Sequence, residues 1–328
     1  MEVLAKTYRG EVADLFTYGS LAVVDSDGNI VYKKGNPDEI AFARSSAKLM
    51  QAMVPIYNCC SEYELSQKEI AQICASHSGE PFHIKTVRGI LKKIGLDEKY
   101  LKCGAHYPFK PEVEREMKEK SIEPGDIHNN CSGKHAGMLM TSVFKGYSLD
   151  DYYKSDHPVQ KEIRKMISRI CDYPYEDILM GTDGCGVPVH ALPIYKFAYG
   201  MARMGDEEKL DEELRSSAKK IKDAILKYPE YTSGTDRIDY FLISKNPGEL
   251  VVKSGANGYY AGYFPNKKMG FALKTYDGNT EIRNLIVVAL MKELGMIKRE
   301  DEKFFDDLVK IDILNHRKEK VGETLANL

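Results

Sequence analysis

Apolar and polar positions alternate near both ends of the chain and take helical spacing through its middle. From about Tyr18 the stretch YGSLAVVDSDGNIVYKK alternates and turns at Asp27-Gly28, the pattern of a β-hairpin. The run LMQAMVPIY after Lys48 is apolar nearly all round and predicts a buried helix. LSQKEIAQICAS follows, with Ser66 and Glu69 at capping-box spacing, then TVRGILKKIGL with apolar residues at helical intervals. Between Cys103 and Pro193, glycine- and histidine-rich loops alternate with amphipathic stretches. Strand-like runs return in ELVVKSG, YYAGYFP and MGFALKTYDG, before an apolar helix, EIRNLIVVALMKELG. The expected fold class is α/β (α+β), a single domain over residues 1–328. Its antiparallel sheet would use strands at about 15–35 and 248–276, flanked by helices, with a helical lobe between them and a cleft between sheet and lobe.

Composition narrows the function classes. The 328 residues are 43% hydrophobic and 29% charged with a formal charge of −2, so nothing electrostatic points to nucleic acid or an anionic membrane as partner. The N-terminal stretch MEVLAKTYRGEVADLF lacks a signal-peptide plan, and no apolar run is long enough to span a bilayer. Seven cysteines, two of them adjacent at Cys59 and Cys60, fit a reducing cytoplasm better than a disulfide framework.

Two short motifs carry candidate chemistry: Ser45-Ser46-Ala47-Lys48, which reads S-x-x-K, and Lys253-Ser254-Gly255. In that order they resemble the serine acyl-transferase layout of penicillin-binding proteins and β-lactamases. A serine hydroxyl needs a base, and a lysine one turn away can serve if a second cation helps to keep it neutral. S-x-x-K is weak evidence alone, since Ser45 could be an ordinary helix cap, and Arg215-Ser216-Ser217-Ala218-Lys219 repeats Arg44–Lys48 letter for letter. Context separates the copies: the second lies in DEELRSSAKKIKDAILK, whose thin apolar stripe predicts a solvated surface helix.

Three glycine-bearing loops hold more reactive side chains than turns require: Ala75–Pro81, His128–Gly137 and Gly181–Pro188. Six of the eight histidines (His77, His83, His106, His128, His135 and His157) fall between residues 77 and 157. The blocks ARSSAKLMQA, ASHSGEPFH, CGAHYP, HNNCSGKHAGML, DHPVQ and DGCGVP, in this order and spacing, resemble the rhizobial-type L-asparaginase family, a serine β-lactamase-like fold distinct from the threonine-nucleophile asparaginases.

The resemblance runs from about Tyr18 to Asp277 and implies hydrolysis of L-asparagine to aspartate and ammonia. On it, Ser45 is the expected nucleophile, Lys48 its base, Ser78 a proton relay and Lys253 the second lysine. Oxyanion donors are expected at the Ser45 N–H and on the strand beyond Lys253. For a zwitterionic substrate, Glu80 and Asp183 are candidates for the ammonium and Arg44 for the carboxylate, with Ser254 beside them. The family pattern places zinc near Cys131, Lys134 and Cys185, with His135 and Asp183 orienting the ligands. Residue chemistry by itself favours two buried free cysteines there over a metal, because two thiolates and a lysine are an unusual zinc set. No cofactor is required for the acyl transfer, and a homodimer is the expected assembly. A glutaminase or β-lactamase-like peptidase, or an inactive amino-acid- or zinc-binding regulator, are the alternatives.

Overall fold

The computed structural model of the chain describes residues 2–328. Strands β1 (Glu2–Arg9), β2 (Val12–Asp25), β3 (Ile30–Lys34) and β4 (Ile40–Phe42) precede a tight turn of 3-10 helix at Arg44–Ala47 and then helix α1 (Lys48–Cys59). Helices α2 (Gln67–Ile73), α3 (Pro81–Lys93), α4 (Pro111–Glu119), α5 (Ser132–Lys145) and α6 (Pro158–Cys171) form the middle of the chain. Then come β5 (Leu179–Thr182), β6 (Pro188–Pro193), α7 (Ile194–Gly205), α8 (Glu212–Lys227) and α9 (Ile238–Lys245). The chain closes with β7 (Val251–Ser254), β8 (Tyr259–Phe264), β9 (Met269–Thr275), α10 (Thr280–Glu293), α11 (Glu302–Val309), β10 (Ile311–Leu314) and β11 (Lys320–Ala326).

The main sheet has eight strands in the order β10-β11-β1-β2-β9-β8-β7, with β3 also paired to β2, and every pairing is antiparallel. This confirms the expected architecture of N- and C-terminal strands in one sheet with helices between. The sheet is wider than 15–35 and 248–276 alone suggest, because β1, the start of β2, and β10-β11 extend it. These added strands escape a pattern search for a physical reason. One of their faces is open to solvent, and it carries apolar residues such as Phe16 and Leu325 among charged ones, so strict alternation is lost. A second sheet, β4-β6-β5, ties the segment before Ser45 to the segment after Cys185.

The helical lobe is built as its sequence implies. In α1 every residue from Lys48 to Ile56 is buried. The capping box at α2 is complete: Ser66 accepts from the Glu69 N–H, and the Glu69 carboxylate accepts from the Ser66 N–H at 2.8 Å. Glycines let the layers close. A Cβ on Gly133 in α5 would overlap the Gln72 carbonyl oxygen at the end of α2, so this crossing requires a residue without a side chain. No helix is long and apolar enough to cross a membrane among the described residues.

Candidate active site

The two motifs meet. Ser46 Oγ donates to the Lys253 carbonyl oxygen at 2.7 Å, and a Cβ on Gly255 would come within 2.9 Å of the Ala43 carbonyl oxygen and 3.0 Å of Ser46 Oγ. The glycine of K-S-G is therefore what allows the Arg44–Ala47 turn to lie against β7. The duplicate pentapeptide is elsewhere: Ser216 is exposed on α8 and Lys219 pairs with Asp223 at 2.7 Å on the surface.

Ser45 sits inside the 3-10 turn rather than at the first turn of α1, half-buried, and its hydroxyl makes no hydrogen bond with the described residues. The residue before it, Arg44, has φ of +50, a left-handed conformation that is strained for a side chain of this size. Two guanidinium N–H groups, Nε at 3.0 Å and Nη2 at 2.7 Å, donate to the same Asp183 Oδ1 and hold it there. Asp183 stays well ionised: burial opposes its charge, but Lys134 and Arg44 together hold its carboxyl below the usual range.

Lys48 is buried, and its Nζ donates to Ser76 Oγ at 2.8 Å and to Cys131 Sγ at 3.1 Å. The serine beside Lys48 is thus Ser76, not Ser78 as the sequence suggested. Ser78 Oγ instead donates to Glu80 Oε1 at 3.1 Å, and the Glu80 carboxylate also accepts from the Thr235 N–H at 2.9 Å and from Thr235 Oγ1 at 3.0 Å. Glu80 is a clamp between two loops. A Cβ on the neighbouring Gly234 would overlap Ser78 Oγ, so that clamp is also tight. Nothing in the motif A-S-H-S-G distinguishes its two serines, and the loop at 232–235 carried no signal beyond ordinary turn residues.

Lys253 is fully buried on β7, 3.5 Å from Asp239, and its Nζ donates to the Ser254 carbonyl oxygen at 3.2 Å. Burial pulls it down to about 8, with Lys48 adding to the effect and Asp239 opposing it. Of the expected oxyanion donors, the Ser45 N–H has no backbone acceptor, whereas the groups directly after Lys253 are engaged: the Ser254 N–H by Asp239 at 2.9 Å and the Gly255 N–H by Tyr259 at 3.0 Å. The hydroxyl of Ser254 also points to Asp239, at 2.8 Å.

Cys131 and Lys134, at the start of α5, meet Cys185 from the loop between β5 and β6. The adjoining Cys131 side chain, and then the Lys134 charge, pull the Cys185 thiol down to about 4, against burial. The Cys185 sulfur beside it, together with burial, pushes Cys131 up to about 12, and its thiol donates to Asn130 Oδ1 at 3.5 Å. Lys134 donates to Cys185 Sγ at 3.0 Å; burial opposes its charge, but the two sulfurs raise it above the ordinary lysine range. No group of three or more His, Cys, Asp and Glu side chains positioned for a metal occurs among the described residues, so a metal here must take the lysine amine. Two converging sulfurs and one nitrogen suit a soft divalent cation such as zinc once the Lys134 and Cys131 protons are displaced. His135 is directed to Tyr152, its Nδ1 lying 2.7 Å from the phenol oxygen, and its Nε2 has no partner.

The remaining blocks lock these loops. His77 Nδ1 accepts the Gly79 N–H at 3.1 Å, which makes Nε2 the protonated nitrogen that donates to Ser132 Oγ at 2.8 Å. Asn129 donates to the Cys103 and Gly104 carbonyls and accepts from the Cys131 N–H at 2.8 Å. The result is one connected chain of polar contacts: Ser76, Lys48, Cys131, Cys185 and Lys134.

No curated protein matches the chain in sequence. Among solved structures it is similar to a class C β-lactamase mutant at 12% identity, with TM-score 0.46 over 86% of this chain and 93% of that one. It is also similar to a β-lactamase from Mycobacterium bovis at 9% identity, with TM-score 0.42 over 84% and 94%. A D-alanine carboxypeptidase from Burkholderia cenocepacia matches at 12% identity, with TM-score 0.41 over 85% and 93%. A sequence model of the L-asparaginase II family matches residues 5–326, nearly end to end. By that match, the chain belongs to the L-asparaginase II family.

Proposed function

We propose that this protein hydrolyses L-asparagine to L-aspartate and ammonia through an ester on Ser45. The observation that carries the reading is the junction of the two motifs: a free Ser45 hydroxyl in a turn bonded to β7, with two buried lysines behind it. Ser45 Oγ attacks the side-chain amide carbon while Lys48, in its neutral form, takes the hydroxyl proton. The Ser45 N–H holds the developing oxyanion. The C–N bond then breaks, and the proton passes from Lys48 through Ser76 to the departing ammonia. Water attacks the aspartyl ester by the same route in reverse and frees Ser45. The lysine pair must hold a single proton at the start, so Lys253, near 8, sets when that state is populated.

The Arg44–Asp183 pair suits a zwitterion. The α-carboxylate of asparagine can replace Asp183 on Arg44 while its ammonium joins Asp183, so the two ends of one substrate exchange partners with an existing pair. Glu80, fully engaged by Ser78 and Thr235, is left to hold its loops. Cys131, Lys134 and Cys185 would hold zinc, whose charge would fix two loops at the rim of the site.

Ammonia release from asparagine, glutamine and a chromogenic lactam decides among the enzyme readings. Turnover confined to asparagine and lost in Ser45→Ala supports the proposal; lactam opening, or a preference for glutamine, replaces it. Thermal stabilisation by asparagine without any ammonia release would identify an amino-acid-binding protein instead.

A further inference from the structure

Asp239 is fully buried at the start of α9, and every donor it meets belongs to the K-S-G corner or the strand beside it. Its Oδ2 accepts from the Ser254 N–H at 2.9 Å and from Ser254 Oγ at 2.8 Å, and it lies 3.5 Å from Lys253 Nζ. Its Oδ1 accepts from the Tyr260 hydroxyl at 2.8 Å. A carboxylate removed from water is strongly unfavourable unless its lone pairs are satisfied, and here they are. We propose that Asp239 is a positioning residue for the reaction: it fixes the Lys253-Ser254 corner of β7 and is the counter-charge that sets the protonation of Lys253. This rests on the Ser-Lys reading of the site.

The charges around this corner come from four elements. Lys253 faces Asp239 on α9, Lys48 on α1 and Arg237 just ahead of α9. Arg283 on α10 bears on Asp239 and lies 5.2 Å from the Tyr260 ring centroid. Burial, Lys48 and Arg237 all disfavour the ammonium form of Lys253, and only Asp239 favours it. Removing the negative charge therefore makes Lys253 less basic, and the neutral member of the lysine pair appears at lower pH. Removing the Tyr260 donor does the opposite, because a carboxylate with one fewer hydrogen bond acts more strongly on Lys253. A merely structural role for Asp239 predicts slower turnover in both variants and no movement of the pH limb.

The test is the pH dependence of asparagine turnover in the intact protein, Asp239→Asn and Tyr260→Phe. Beside it, lysine labelled with 13C at Cε is titrated by NMR, with Lys253→Met to assign the signal. In Asp239→Asn the rising limb and the Lys253 titration should move together to lower pH by roughly 1–3 units, the size expected for a lost neighbouring charge. In Tyr260→Phe both should move to higher pH, and this variant carries the test alone if Asp239→Asn does not fold. A Lys253 titration that is unmoved, or moved the other way, overturns the proposal. If the intact protein releases no ammonia from asparagine, the functional reading fails, and the NMR titration still decides the role of Asp239.

Discussion

In the proposed mechanism, Ser45 has the least replaceable role among the site residues. Ser45→Ala should lower asparagine turnover by on the order of 10⁴-fold or more, as loss of an enzyme nucleophile does. Its melting temperature should stay near that of the intact protein, since the hydroxyl has no partner to lose. Ser216→Ala, in the identical pentapeptide on α8, should leave turnover unchanged, and a large loss there would mean that the wrong copy has been chosen. Ser76→Ala removes the hydroxyl that Lys48 holds at 2.8 Å and should slow turnover by about 10²–10⁴-fold, the range for a lost proton-transfer group. Ser78→Ala touches only the Glu80 clamp and should cost much less; steady-state rates of the two variants side by side check this, and the reverse order would restore Ser78 as the relay. The two serines show what a motif withholds. A-S-H-S-G places both near the site, but which hydroxyl meets Lys48 depends on how the loop is bonded to Thr232 and Asn130.

Among the elements, α5 shows how tightly the site is mounted. Its first turn carries Lys134 and His135, with Cys131 as its cap, and its Gly133 lies directly on the Gln72 carbonyl oxygen of α2. Gly133→Ala should destabilise the protein by about 1–3 kcal/mol, the usual range for an overpacked interior, because a backbone oxygen cannot rotate aside. The same shift would draw Cys131 away from Lys48, so turnover should fall with stability. Chemical denaturation with parallel rate measurements checks this, and an unchanged midpoint would show that the crossing has slack. The element pattern was legible wherever one face is buried: α1, the α2 capping box, the β2–β3 hairpin and the strands β7 to β9 all follow from periodicity. It failed at β1, β10 and β11, where exposed apolar residues such as Leu314 and Leu325 stand among charged ones and blur the alternation that a purely polar outer face would show.

For the whole molecule, buried neutral histidines predict sensitivity to acid. Burial, above all other influences, lowers His83 and His190 to about 4 and His135 to about 3, and it holds His77 well below its ordinary value. The unfolded chain binds protons near pH 6.5 while the folded chain resists, so this stability is complete above about 6.5 and falls as pH drops towards 4. Melting temperatures between pH 7 and pH 4 should decline steadily, and a flat profile would contradict the neutral, buried assignment. Metal content offers a second check. If Cys131, Lys134 and Cys185 take zinc, the purified protein should hold about one ion per chain, and Cys185→Ser should lose most of it. Affinity should fall as pH drops, since protons compete for the thiolate and the amine; elemental analysis across pH measures it.

The sequence by itself determined the central strands and the buried helices, the two chemical motifs and the family, because these depend on local periodicity and on short blocks that persist as strings of letters. Proximity required the folded chain. Ser76 beside Lys48, Cys131 joined to Cys185, Glu80 closed on Thr235 and Asp239 beneath Lys253 all pair residues from different elements. No spacing rule links positions 48 and 76, or 239 and 253. Their meeting is set by how helices pack on the sheet and by glycines that admit close approach; burial there is what makes Lys253 chemically unlike a free side chain, and the Cys131 and Lys134 neighbours do the same for Cys185.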